Sequence, residues 1–224
     1  MAHQHSGGQH RIQIIHLVFL VIGGRIVGSI STHLAGLIGS RVCHDLISPI
    51  GAINNGLELL GLSGDPAGPE IGLIGQSVDN ASARIRFFRI AFGSAGDQMV
   101  GPAEVLSIIA DLYKGSRLSI DWQLQEPVQR QEVRLAFLAI LCAETAMPYG
   151  GLITVSKTAT DWSLRGVADR INRMPELWGF LSWNREIADL QPSQVEFALL
   201  PLIAEDLARK VTYEIDDRRL KVMF

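Results

Sequence analysis

The sequence predicts an α+β fold, a long helical hairpin followed by a domain of mixed helices and strands, and three observations carry that expectation. Apolar residues recur at intervals of mostly three and four from Ile30 to Leu60 and again from Ile71 to Phe92, the period of a helix. Between them, Gly61-Leu-Ser-Gly-Asp-Pro-Ala-Gly-Pro69 holds too many turn formers for regular structure. After Gly93-Ser-Ala-Gly96 the period changes, and short alternating runs interleave with helical ones. The chain therefore divides into 1–28, an apolar leader of open status, 29–95, the helical hairpin, and 96–224, the α/β domain.

Composition narrows the function classes. With 224 residues, 47% of them hydrophobic and 19% charged, the chain can bury a core without disulfide or metal staples. Twenty basic against 23 acidic residues give a net charge of -3, without the basic excess of a nucleic-acid binder, so no direct nucleic-acid partner is expected. Cys43 and Cys142 match neither a disulfide framework nor a zinc spacing and read as reduced thiols of a cytoplasmic protein. The apolar run at 12–24 follows Arg11 and admits three readings: an anchor or signal, an apolar element packed on the body, or a start site placed too far upstream. It falls short of the roughly 20 residues of a spanning helix, so no stable membrane insertion is expected. His3 and His5 sit among glycines and polar residues and read as a flexible leader, not a metal site.

The first helix carries Ile30, Leu34, Leu37, Val42, Leu46, Ile50, Ile53, Leu57 and Leu60 on its stripe, with Ser31 or Thr32 as cap and an end near Gly61. The second begins at Pro69 with Glu70 in its first turn. Ile71, Ile74, Val78, Ala81, Ile85, Phe88 and Phe92 alternate in threes and fours as a heptad seam, widened by Phe87 and Ile90. Asp79, Asn80, Arg84, Arg86 and Arg89 form the polar face. A lone hairpin leaves such stripes uncovered. Homodimerisation into a four-helix bundle would cover them, and so would the second half of the same chain.

One histidine stands out. The run Arg41-Val-Cys-His44-Asp45-Leu-Ile-Ser48-Pro49 places His44 off the apolar stripe, with Arg41 and Ser48 within one turn on a shared face. An exposed imidazole offers a nucleophilic nitrogen to an incoming phosphoryl group. Asp45 can accept a hydrogen bond from the other ring nitrogen and so fix the tautomer. Pro49 removes the helix hydrogen bond to the Asp45 carbonyl and can bend the helix there. The bland alternative is a surface histidine that happens to precede an aspartate.

In the second half, Ala103 to Lys114 reads as a helix, Arg117 to Leu124 as a strand, and Glu132 to Met147 as a buried helix ending at Pro148-Tyr-Gly-Gly151. A strand Leu152–Ser156 follows, with Trp162–Val167 as its hairpin partner. Ser193–Lys210 reads as a helix, and Val211–Ile215 with Arg219–Phe224 as a closing hairpin about Asp216-Asp217-Arg218. The expected arrangement is antiparallel strands with helices on one face.

His44-Asp-Leu-Ile-Ser-Pro49 resembles the H-box of histidine kinases, and the longer RVCHDLISPIGAINNGLELL, Arg41 to Leu60, is similar to the histidine phosphotransferases of the ChpT type of alphaproteobacteria. The helix, PYGG and strand in that order resemble a Bergerat-like kinase ATP-binding domain in degenerate form. Leu138 and Cys142 stand where that family has asparagines, and neither ligates a hard cation well. No Asp-x-Gly-x-Gly follows, Val167-Ala-Asp-Arg-Ile171 keeping only an aspartate of such a box, and Ala198-Leu-Leu-Pro-Leu202 lacks phosphate-cradling glycines. The resemblance implies a phosphorelay phosphotransferase that moves a phosphoryl group between receiver aspartates through His44, assisted by Asp45, without ATP or a cofactor of its own. Magnesium would come with the receiver. Arg41, Ile47, Ser48, Pro49, Asn55 and Arg84 are the supporting or docking residues. Implied partners are receivers of a CckA-like hybrid kinase and of CtrA-like and CpdR-like regulators, met by a homodimer. An active kinase or receiver phosphatase, with Ser48 orienting water, and a non-enzymatic receiver-docking adaptor are the alternatives.

Overall fold

The structure, a computed structural model, describes residues 7–63, 68–94, 96–182 and 190–224, with side chains described from residue 32 onward apart from that of residue 63. The readings placed on His3, His5 and the apolar leader concern side chains outside the described residues. Helix α1 spans Gly7–Ser63 and helix α2 spans Pro69–Ala91. The expected start at Ser31 or Thr32 is not a boundary: α1 runs through it, because no proline interrupts the chain there and each added residue closes another helical bond. Pro49 lies inside α1, buried, and does not end the helix.

The two helices run antiparallel, as the pairing of Asp45 with Arg84 and the approach of Gly56 to Ile74 require. A β-carbon on Gly56 would come within 2.6 Å of Ile74, so glycine sets how closely the helices meet. The seam divides along its length. Ile71, Val78 and Ile85 stay 45%, 44% and 53% exposed at seven-residue intervals, as do Ile50 and Leu57 on α1. Phe88, expected in the seam, turns instead into the core with Phe87 and Ile90. Phe87 stacks on Phe137 with ring centroids 4.3 Å apart, so the C-terminal half does cover one end of the hairpin.

That half begins with β1 (Met99–Val100), α3 (Pro102–Leu112), β2 (Leu118–Trp122), β3 (Val128–Gln129) and α4 (Arg130–Ala146). It continues through β4 (Gly151–Lys157), β5 (Trp162–Val167), α5 (Pro175–Trp178), α6 (Val195–Asp206), β6 (Thr212–Ile215) and β7 (Arg219–Met223). The main sheet has strand order β2-β4-β5-β7-β6, and β1 and β3 form a separate small ribbon. All pairs in the main sheet are antiparallel except β2 with β4, which is parallel because α4 carries the chain across between them. Ile153, Val155, Leu164, Leu220 and Val222 face the covered side, while Leu152, Arg165, Val167 and Arg219 face out. The helix expected over 193–210 is shorter: a single turn at Pro192–Gln194 leads into α6, which ends at Asp206.

Gly150 and Gly151 have φ of 95° and 140°, so the turn from α4 into β4 uses a backbone that other residues rarely adopt. Leu138 and Cys142 are fully buried on α4, and both cysteines are free thiols. Burial pushes the Cys142 thiol well above its ordinary pKa, so it stays protonated. Among the described residues no helix is long and apolar enough to cross a membrane.

Candidate functional site

His44 lies mid-way along α1 with its side chain 80% exposed, as the helical spacing predicts. Its neighbour Asp45 is turned the other way and is only 12% exposed. A carboxylate so enclosed needs partners for both oxygens. Oδ1 lies 3.1 Å from Nδ1 of His44. Oδ2 accepts from Arg41 Nε at 3.0 Å, and Arg84 Nη1 of α2 stands 3.6 Å away. Arg84 is itself oriented by donating from Nε to Asn80 Oδ1 at 3.1 Å.

Arg41 therefore does not share the outward face of His44, contrary to what the helical spacing suggested, and Arg84 of the α2 polar face points to the same carboxylate. Both turn inward, because the enclosed Asp45 carboxylate and the C-terminal domain offer acceptors there. Arg41 Nη1 donates to the Ser193 carbonyl at 2.7 Å and lies 3.9 Å from Glu196 Oε1. Arg86 is also engaged, with Asp111 of α3. Of the other predicted site residues, Ile47 is 67% exposed beside His44, Ser48 and Asn55 are exposed on α1, and Pro49 is buried. Behind Asp45 a cavity of about 260 Å³ is lined by Arg41, Arg84, Tyr113, Lys114 and Glu144, where the Tyr113 hydroxyl donates to Glu144 at 3.2 Å.

Glu196 was not anticipated. Its residue is fully buried at the start of α6, with Thr145 Oγ1 3.3 Å from Oε1 and no hydrogen-bond partner for Oε2 among the described residues. Burial pushes its carboxyl up to about 7, against the pull of the Arg41 guanidinium. The available signal was a single carboxylate within the apolar run Val195-Glu-Phe-Ala-Leu-Leu. Ser193 gave no signal at all, since only its backbone takes part.

An ionised carboxylate only accepts hydrogen bonds, so the contact to Asp45 calls for a proton on Nδ1 of His44, and in the neutral ring that tautomer leaves the Nε2 lone pair free. No cluster of three or more metal-ligating His, Cys, Asp or Glu occurs among the described residues.

A solved structure described as a bacterial phosphotransferase matches this chain with a TM-score of 0.71 at 27% identity, covering 86% of this chain and 95% of that one. Fold and comparison together define a phosphotransferase. The family model for the histidine phosphotransferase C-terminal domain matches residues 102–219. Protein phosphotransferase ChpT of Brucella abortus (strain 2308) is 32% identical over 188 residues, 80% of this chain and 88% of that protein. The chain belongs to the histidine phosphotransferase family and is a phosphotransferase of the phosphorelay type.

Proposed function

We propose that His44 is the phosphoacceptor, taking a phosphoryl group from the aspartyl phosphate of one receiver domain and passing it to the aspartate of another. The observation that carries this reading is the pairing of an 80% exposed imidazole with an enclosed carboxylate that holds its Nδ1. Nε2 attacks phosphorus in line as the bond to the receiver carboxylate oxygen breaks, and the carboxylate leaves with the electron pair. No proton need move. The ring becomes cationic on forming the N–P bond, and Asp45, hydrogen-bonded to Nδ1–H, opposes that charge. Transfer onward reverses the sequence.

The receiver brings the acyl phosphate and its magnesium, and this chain brings a nucleophile on a rigid helix. Ile47, Ser48 and Asn55, exposed on α1 beside or below His44, make a docking face with an apolar residue next to the imidazole. The resemblance of the Arg41 to Leu60 run to ChpT-type phosphotransferases implies, as partners, receivers of a CckA-like kinase and of CtrA-like and CpdR-like regulators. Nucleotide has no part, a reading supported by the apolar Leu138 and Cys142, which are fully buried against the rest of a degenerate Bergerat-like domain. The exposed apolar stripes of α1 and α2 support a homodimer closed as a four-helix bundle.

The test is to mix the full chain with a panel of phosphorylated receivers. Wild type gains acid-labile, base-stable phosphate and His44→Ala gains none. Label that persists in His44→Ala sinks the assignment.

A further inference from the structure

Arg41 is the only described side chain that touches both the carboxylate behind the phosphoacceptor and the N-terminal end of α6. Its two ends do different things. Nε donates to Asp45 Oδ2 at 3.0 Å, while Nη1 donates to the Ser193 carbonyl at 2.7 Å and faces Glu196 at 3.9 Å. The side chain is only 13% exposed and its contact with Asp45 is partly buried, so water is a poor substitute for that carboxylate. A planar guanidinium cannot move one arm without the other. Asp45 is thereby fixed in rotation with Oδ2 inward, and Oδ1 is the oxygen left for His44. Ser193 and Glu196 are separated from Arg41 by more than 150 residues and belong to the other half of the molecule.

We propose that Arg41 is a positioning residue for phosphotransfer, through which the docked C-terminal domain holds Asp45 and so selects the His44 tautomer with a free Nε2. This rests on His44 being the phosphoacceptor, but the tie itself is a matter of geometry. It gives the C-terminal half a role that needs no nucleotide. Arg84 also faces Asp45, from α2 at 3.6 Å, yet it reaches no part of the C-terminal domain by a described hydrogen bond and cannot make the same link. Outer partners that orient a metal-bound imidazole are typically worth tenfold to a hundredfold in affinity or activity, and an effect of about tenfold is expected of the same geometry here.

The test uses the full chain with nitrogen-15 in its histidines, at a pH where imidazole is neutral, with His44 assigned from the signals lost in His44→Gln. In wild type the two His44 nitrogens should read as protonated Nδ1 and unprotonated Nε2. Arg41→Ala should drift toward the Nε2–H form that free imidazole prefers. Its transfer rate from a phosphorylated receiver should fall on the order of tenfold, with the receiver concentration for half-maximal rate unchanged. A folded Arg41→Ala with wild-type nitrogen signals and wild-type rate overturns the proposal. If Arg41→Ala does not fold, Arg41→Lys decides: it keeps the charge but cannot fork between Asp45 and Ser193. A drift in the same direction supports the tie, and unchanged signals overturn it. Wild type that takes no phosphate on His44 would instead defeat the phosphoacceptor reading, with the nitrogen signals still deciding what Arg41 does.

Discussion

Asp45 meets three claimants with two oxygens, and the division between them sets what His44 can do. Oδ2 takes the guanidinium of Arg41 and faces that of Arg84, so Oδ1 is left for Nδ1 of His44. On the phosphoacceptor reading, Asp45→Asn keeps the shape but removes the charge that would oppose the phosphoimidazolium, and transfer should drop about tenfold or more in a rapid-mix assay while receiver affinity holds. An unchanged rate would remove Asp45 from the mechanism. The outward His44 side chain and its contact with Asp45 were legible because adjacency and helical spacing fix them locally. The inward turn of Arg41 and Arg84 was not, because their partners come from elsewhere: α2 supplies Arg84, and Ser193 and Glu196 stand beyond a hundred residues of intervening chain. Glu196 carries its own signature. Its folded carboxyl is raised to about 7 from an ordinary 4.5, so the fold favours the protonated form. That stability is complete below pH 4.5, is lost as pH climbs toward about 7, and is level above. The loss is roughly 3 kcal/mol, taking 1.36 kcal/mol per unit. Urea unfolding of Glu196→Gln should show a shallower decline between pH 5 and 8 than wild type, and parallel curves would refute the buried titration.

At the scale of elements, the hairpin was legible in outline because a 3,4 period and a turn-rich break need no tertiary information. What the period could not distinguish was which apolar residues face the chain's own second half. Phe87, Phe88 and Ile90 do so at the C-terminal end of α2, where Phe87 meets Phe137 of α4. Ile71, Val78 and Ile85 keep a bare stripe, matched by Ile50 and Leu57. On the dimer reading, Ile85→Glu puts a carboxylate into the bundle and should convert a dimer to a monomer in sedimentation at micromolar concentration. The residue is 53% exposed within one chain, so the variant monomer should keep its helix content. A dimer that withstands both Ile85→Glu and Val78→Glu would place the interface elsewhere.

Across the whole molecule, α6 acts as a strut held at both ends. Its first turn carries Glu196 beside Arg41, and just past its end Arg209 enters a second polar cluster. There Glu132, in the first turn of α4, accepts from Lys157 at 2.7 Å, from Arg209 at 2.7 Å and from Trp162 Nε1 at 3.3 Å. Arg209 also donates to the carbonyls of Thr160 and Phe224, at 2.9 and 3.4 Å. One carboxylate thus joins α4, the end of β4, the start of β5 and the segment after α6. The sequence announced the strands by alternation but not this knot, nor the parallel β2–β4 pairing, since both depend on which distant segments the crossover through α4 brings together. Glu132→Ala strands two cations whose side chains are 24% and 22% exposed, so each keeps some water. The expected cost is about 2–3 kcal/mol, below the 3–5 of a fully buried broken pair. For a chain of this length that lowers the thermal midpoint by roughly 5–10 °C. An α6 of 12 residues spans about 18 Å, so the knot lies a helix length from Glu196, and phosphotransfer at a permissive temperature should stay within about twofold of wild type. Calorimetry and the receiver assay on one preparation test both halves: an unchanged midpoint denies the knot its structural role, and a lost transfer rate in a folded variant denies that the two ends of α6 act separately.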